Sequence, residues 1–183
     1  MRTLIALALI ALAAPAVAAG KFTLTSADVK PGKALTDAQV FNGMGCAGAN
    51  LSPQLAWANA PKDTKSFVVT GYDPDAPTGS GWWHWVVFNV PATATGLEAG
   101  AGSGKAPLPE GAVQSRTDFG APGFGGACPP PGDKPHRYVF TVYALKVEKL
   151  DLTPDASAAM VGFMARANAL GSATLTATYA RKK

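Results

Sequence analysis

The sequence predicts a mostly β protein: an antiparallel β-sandwich with one C-terminal α-helix. Three observations carry that reading. Short apolar or alternating runs recur between turns rich in glycine and proline, of which the 183 residues hold 20 and 15. Helix start and stop signals are clear in only one stretch, near the C-terminus. The strand–helix–strand rhythm that builds a parallel sheet is missing.

Taken in order, residues 1–19 read as a cleaved export signal. Arg2 is the positive start, Leu4 to Ala14 the apolar run, and Ala16-Val17-Ala18 the small-residue site, with cleavage after Ala18 or Ala19. That run falls short of the roughly 20 residues a membrane span needs, and no later run reaches it. Residues 20–183 are then expected to form a single domain, periplasmic in a Gram-negative host or otherwise secreted. Lys21 to Ser26 alternates and reads as a strand. Asp28 to Asn59 reads as irregular strands and turns, with Gly43 to Gly48 a loop. Ser66 to Tyr72 and His84 to Val90 are apolar enough to be central strands. Ala92 to Ser115 is small and glycine-rich, and reads as a long surface excursion. Arg137 to Leu145 sets Tyr138, Phe140, Val142 and Ala144 on one face and Val139, Thr141, Tyr143 and Leu145 on the other. Thr153-Pro154-Asp155 is a helix start, with Thr153 as the cap. Met160, Phe163, Met164 and Ala167 then form the core face, Arg166 suits the last turn and Gly171 the C-terminal cap. Thr174 to Tyr179 alternates as a last strand, with Leu175, Ala177 and Tyr179 inward.

Charge and cysteine content narrow the function. The net charge of +4 falls to +3 when the single Arg2 leaves with the signal, and the basic residues are scattered. Nucleic-acid binding needs a basic stripe or patch, which is absent. Cys46 and Cys128 are the only cysteines. In an exported chain an even count argues for a disulfide, the alternative being two buried thiols. A bridge closing so long a loop stabilises the fold by about 4.5 kcal/mol in the chain-entropy model.

Two loops concentrate the chemistry. The first runs from Asp73 through Pro74, Asp75, Pro77, Gly79 and Gly81 to Trp82-Trp83-His84-Trp85. The second runs from Asp118 through Gly125-Gly126 and Cys128-Pro129-Pro130-Pro131 to Asp133 and His136. Each is stiffened by proline and delivers one of the chain's two histidines to the start of a buried strand. Read alone, the first loop is as much a rigid hairpin with core tryptophans as a ligand site. If the two strands lie close, both histidines share one shallow pocket. Enzyme readings fit less well. Ser80, His84 and Asp73 lack the strand–turn–helix context of a nucleophile elbow, and His84, His136 and Asp73 lack a recognisable zinc spacing, so no metal or cofactor is expected.

Three stretches together resemble the phosphatidylethanolamine-binding proteins, in their bacterial, Raf-kinase-inhibitor-like, exported branch. They are Asp73-Pro74-Asp75-Ala76-Pro77, Gly81-Trp82-Trp83-His84-Trp85, and Gly125 to Gly132 running on to His136-Arg137-Tyr138. The resemblance spans nearly the whole mature chain. It implies an antiparallel β-sandwich with a C-terminal helix and a small anion pocket, lined by Asp73, Asp75, His84, Pro130, His136 and Tyr138. The implied ligand is phosphate, phosphorylethanolamine or a similar small anion, and Ala76–Pro77 is the candidate cis bond. Trp83 stands where animal members carry a second histidine, and the terminal extension differs, so animal partner kinases are not carried over.

The charges set a condition on that reading. One unit charge beside another at 4 Å is worth about 4 kcal/mol at an effective dielectric near 20, so two free carboxylates would repel phosphate. One acid is therefore expected on a histidine N–H and the other on backbone N–H groups or Arg137. Each histidine would offer its second nitrogen to the ligand, and affinity would rise as pH falls through about 6.5. The expectation is an exported, non-enzymatic anion-binding protein, monomeric or homodimeric. The alternative is an inhibitor or modulator of a partner protein, of the kinase- or protease-inhibitor kind, docking through the same pocket.

Overall fold

The structure, a computed structural model, describes residues 20–183. The expected export signal at 1–19 lies outside the described residues. The elements are β1 (Thr23–Thr25), β2 (Asn42–Gly43), β3 (Cys46–Ala47), β4 (Leu55–Ala58), β5 (Ser66–Asp73), β6 (Trp82–Pro91), β7 (Gly96–Leu97), β8 (Val113–Gln114), β9 (His136–Leu145), α1 (Ala158–Asn168) and β10 (Ala169–Tyr179). A five-stranded antiparallel sheet runs β10–β9–β5–β6–β8, and a three-stranded sheet runs β1–β4–β7. The mostly β fold with a C-terminal helix is as the sequence predicts.

Alternation sorts the central strands into two cores. Phe67, Val69, Trp85, Val87, Tyr138, Phe140, Val142 and Leu175 face the small sheet, where Leu24, Leu55, Trp57 and Leu97 meet them. Val68, Val86, Phe88 and Leu145 face the other way and are covered by Ala158, Val161 and Ala165 of α1. The central strands are thus apolar on both faces because both faces are covered. Each large side chain buried there contributes about 1.5–3 kcal/mol.

Two register shifts interrupt the β5–β6 pairing. Gly71 lies opposite Trp85 and Tyr72 opposite Trp83, which leaves His84 as the extra residue of a β-bulge. A second bulge lies between the pairs Val69–Val87 and Phe67–Val90, and Asn89 takes a left-handed φ of 56° there. Asn89 is fixed by accepting from Leu150 N at 2.7 Å and donating to its carbonyl at 3.2 Å.

Five expectations are corrected. The helix starts later than Thr153: Ser157 is the cap, its side chain accepting from Met160 N, while the Pro154 carbonyl accepts from Arg116 N. Its buried face is Ala158, Val161, Gly162 and Ala165, whereas Met160 and Phe163 are 48% and 65% exposed. The reason is volume. Both faces show helical spacing, but only the small one lets α1 approach closely enough for Gly162 to lie against the Trp83 ring. Gly171 is not a cap but belongs to β10, beside an irregularity in the pairing with β9. The region 92–115 is not a plain surface excursion. It contributes β7 and β8, and Gly102 packs so closely on Trp85 that a Cβ would overlap the indole. Finally, the described residues contain no cis peptide bond, so Ala76–Pro77 is trans.

Cys46 and Cys128, 82 residues apart in sequence, form a disulfide with a Cα–Cα distance of 6.0 Å. It ties the β2–β3 hairpin to the proline loop. Arg181 braces the same junction, donating to the Pro129 and Gly45 carbonyls at 2.8 Å. No described helix is long and apolar enough to cross a membrane.

Candidate functional site

β5 lies between β6 and β9, so the last residue of β5 and the first residues of the other two meet at one end of the large sheet. That places Asp73, Trp82, His84, His136 and Tyr138 around one cavity of about 160 Å³. Pro129 and Pro130 close one wall, Phe119 and Met44 another. Pro129 and Pro130 contribute no N–H to that wall. The β-bulge explains how His84 reaches the cavity. Plain alternation would place it with Val86 and Phe88 beneath the helix, but the inserted residue turns it to the side occupied by Tyr138.

His84 is nearly fully buried, with Phe119 and Tyr138 edge-to-face at ring-centroid distances of 5.4 and 5.1 Å. Its Nδ1–H donates to the Gly125 carbonyl at 2.7 Å. Burial lowers its pKa from the ordinary histidine value, against the opposing pull of the Gly125 carbonyl and the Asp73 charge. Gly125 has no alternative here, because a Cβ would overlap the Phe119 ring.

The carboxylates are occupied as the charge condition requires. Asp73, 2% exposed, accepts from Asp75 N at Oδ1 and from His136 Nδ1–H at Oδ2, both at 2.8 Å. Asp75 turns outward. Its Oδ2 accepts from the backbone N and Nε of Arg137 at 2.9 Å, and Oδ1 from Nη2 at 2.8 Å. The Arg137 side chain holds its pKa down at about 2. Asp75 therefore does not line the cavity but an outer cleft beside Asp133, Lys134 and Arg137. His136 Nε2 lies 3.4 Å from Asp133 Oδ2, so both its nitrogens face carboxylates.

This geometry revises how the histidines meet a ligand. His136 does not present a free second nitrogen, and His84 Nε2 is a lone-pair acceptor while the ring is neutral. The Tyr138 hydroxyl is buried without a hydrogen-bond partner. Burial pushes its pKa up, so it stays an O–H donor. Pro130 lines the rim, and Trp83 points away from the cavity, packing at a tilt on Tyr72 with ring centroids 4.6 Å apart on the helix side. Asp118 is structural, accepting from Trp83 N at 2.7 Å. Sequence reasoning missed the Gly125 carbonyl, which leaves no side-chain signal, and the walls Phe119 and Met44, which looked like ordinary loop residues. Among the described residues no group of three or more metal-ligating side chains gathers.

The chain is similar to known proteins over most of its length. The family model described as phosphatidylethanolamine-binding protein matches residues 25–180. The Escherichia coli UPF0098 protein YbcL is 53% identical over 180 residues, covering 98% of each chain. The E. coli UPF0098 protein YbhB is 55% identical over 156 residues, 85% of this chain and 98% of that one. The crystal structure of E. coli YbcL superimposes with a TM-score of 0.86 at 55% identity, covering 89% of this chain and all of the other. The two loops that frame the cavity lie inside the matched range, and by that match the chain belongs to the phosphatidylethanolamine-binding protein family.

Proposed function

We propose that the chain is an exported, non-enzymatic binding protein whose cavity takes phosphate or the phosphoryl end of a headgroup-like anion such as phosphorylethanolamine. The observation that carries this is the Tyr138 hydroxyl, buried and without a partner in a small cavity it shares with His84. A buried polar group left unsatisfied costs about 1–3 kcal/mol, which a ligand oxygen would return. Size supports the same reading. At about 160 Å³ the cavity suits a phosphoryl group, well below the 300 Å³ or more of pockets that hold drug-sized ligands. The disulfide and the signal-like residues 1–19 support export of a single domain, 20–183, into an oxidising compartment.

The test is calorimetric titration of the mature chain with phosphate and phosphorylethanolamine. Tyr138→Phe is expected to weaken binding roughly tenfold, the equivalent of one lost hydrogen bond, without lowering stability. Unchanged affinity in that variant would refute the assignment. A second reading rests on Met44, 69% exposed on the cavity rim, since an adaptable thioether there suits a protein surface. On that reading the cavity docks an acidic or phosphorylated group of a partner that the chain inhibits or modulates, and free phosphate would compete with it.

A further inference from the structure

Resting on the anion-binding reading above, we infer that the cavity takes its oxyanion with one proton still attached. The ligand class is a phosphomonoester or phosphonate monoanion, whose P–OH donates to His84 Nε2 while another oxygen accepts from the Tyr138 hydroxyl.

The tautomer of His84 carries the argument. A backbone carbonyl can only accept, so the 2.7 Å contact with Gly125 places a hydrogen on Nδ1. The neutral ring then carries a lone pair, not a donor, at Nε2, which makes no hydrogen bond among the described residues. Burial alone disfavours the charged alternative, and it outweighs the Gly125 and Gly126 backbone and the Asp73 and Asp118 charges, which favour it. Phe119 and Tyr138 enclose the ring, and burial opposes the imidazolium. The groups that face it are Asp73 on β5, Asp118 in the loop after β8, and His136 and Tyr138 on β9. The two acids favour a charged ring, but Asp73 is engaged by His136 and Asp75, and Asp118 by the Trp83 N–H.

The cavity therefore presents one lone pair and one hydroxyl, beside a buried carboxylate. A dianion brings only acceptors. It would set an oxygen against the Nε2 lone pair and a double charge near Asp73. A monoanion with one P–OH matches the lone pair with a donor, the hydroxyl with an acceptor, and halves the repulsion. A phosphodiester is also a monoanion but has no P–OH, so charge alone does not qualify it.

The experiment is calorimetric titration of the mature chain between pH 5 and 8 with inorganic phosphate, phosphorylethanolamine and dimethyl phosphate, with the His84 ring followed by NMR. Each of the first two is expected to lose affinity above its own second ionisation, about tenfold per pH unit. Phosphorylethanolamine should fade at lower pH than phosphate. Dimethyl phosphate is expected to bind roughly tenfold or more weakly at neutral pH and to gain only as His84 protonates. A common midpoint for phosphate and phosphorylethanolamine, coincident with His84 titration, would overturn the inference. So would dimethyl phosphate binding as well as phosphate at neutral pH. Either result leaves the anion site standing. No binding of any of the three by folded protein at any pH would remove the anion-binding reading itself.

Discussion

Replacing Asp73 with alanine separates the inner carboxylate from the outer one. Asp73 is buried, and its two oxygens accept from Asp75 N and His136 Nδ1–H, each at 2.8 Å. Hydrogen bonds to a charged group are worth about 1.5–3 kcal/mol each, so the pair sums to roughly 3–6. Taking about 4 kcal/mol, and about 2–4 °C per kcal/mol for a domain this size, the melting temperature should fall by roughly 10 °C. The control is Asp75→Ala. That carboxylate is 31% exposed and the Arg137 side chain 57% exposed, so solvent screens the pair and the loss should be a small fraction of the first. Thermal melts by circular dichroism, with urea titration at neutral pH and the disulfide intact, measure both. Equal losses in the two variants would refute the claim that Asp73 is the strut that positions His136.

Three further outcomes rest on the same packing and hydrogen bonds. His84 has a lowered folded-state pKa, so below pH 6.5 the unfolded chain takes up a proton that the folded one refuses. Its contribution is complete above pH 6.5 and is lost as pH falls toward the folded pKa; in His84→Gln that part of the stability–pH curve should flatten, as read by urea midpoints from pH 7.5 to 5. On the helix, Val161→Ala should cost about 1–3 kcal/mol and Phe163→Ala under about 0.5, the reverse of what side-chain size suggests, measured by the same midpoints. The double substitution Cys46→Ser with Cys128→Ser should lower stability by about 4.5 kcal/mol, and adding reductant to that variant should change nothing further.

What the sequence made legible was whatever depends on pattern. The apolar runs placed β5, β6 and β9 to within two residues, and the charge argument anticipated one acid on a histidine N–H and the other on backbone N–H or Arg137, but not which acid or which histidine. What it hid depends on volume or on backbone atoms. Helical spacing is satisfied by both faces of α1, and only close packing on Trp83 selects the small one. The cap fell to Ser157 because Pro154 was committed to a bridge with Arg116, a contact 38 residues away that no local signal reports. The Gly125 carbonyl fixes which His84 nitrogen holds the proton, and a glycine carbonyl looks like any other in sequence.

The densest stretch of the chain owes its chemistry to one unpaired residue. Four consecutive bulky side chains, Trp82 to Trp85, would alternate strictly in a regular strand, sending His84 and Trp82 to the face opposite Trp85. The bulge adds a residue opposite Gly71 and Tyr72, so His84 and Trp85 stay on one side of the sheet while Trp83 goes to the helix. Trp85 can then fill the core and bond Gln114 at 2.7 Å, as its neighbour enters the cavity. This also settles what the tryptophan at position 83 does. It lies across the sheet from the cavity, so the position where animal relatives are expected to carry a second histidine serves helix packing in this chain. On the proposed anion-binding reading, recognition rests on His84, with its tautomer set by Gly125 and with Tyr138 as its partner, while His136 lines the same cavity with both nitrogens toward carboxylates.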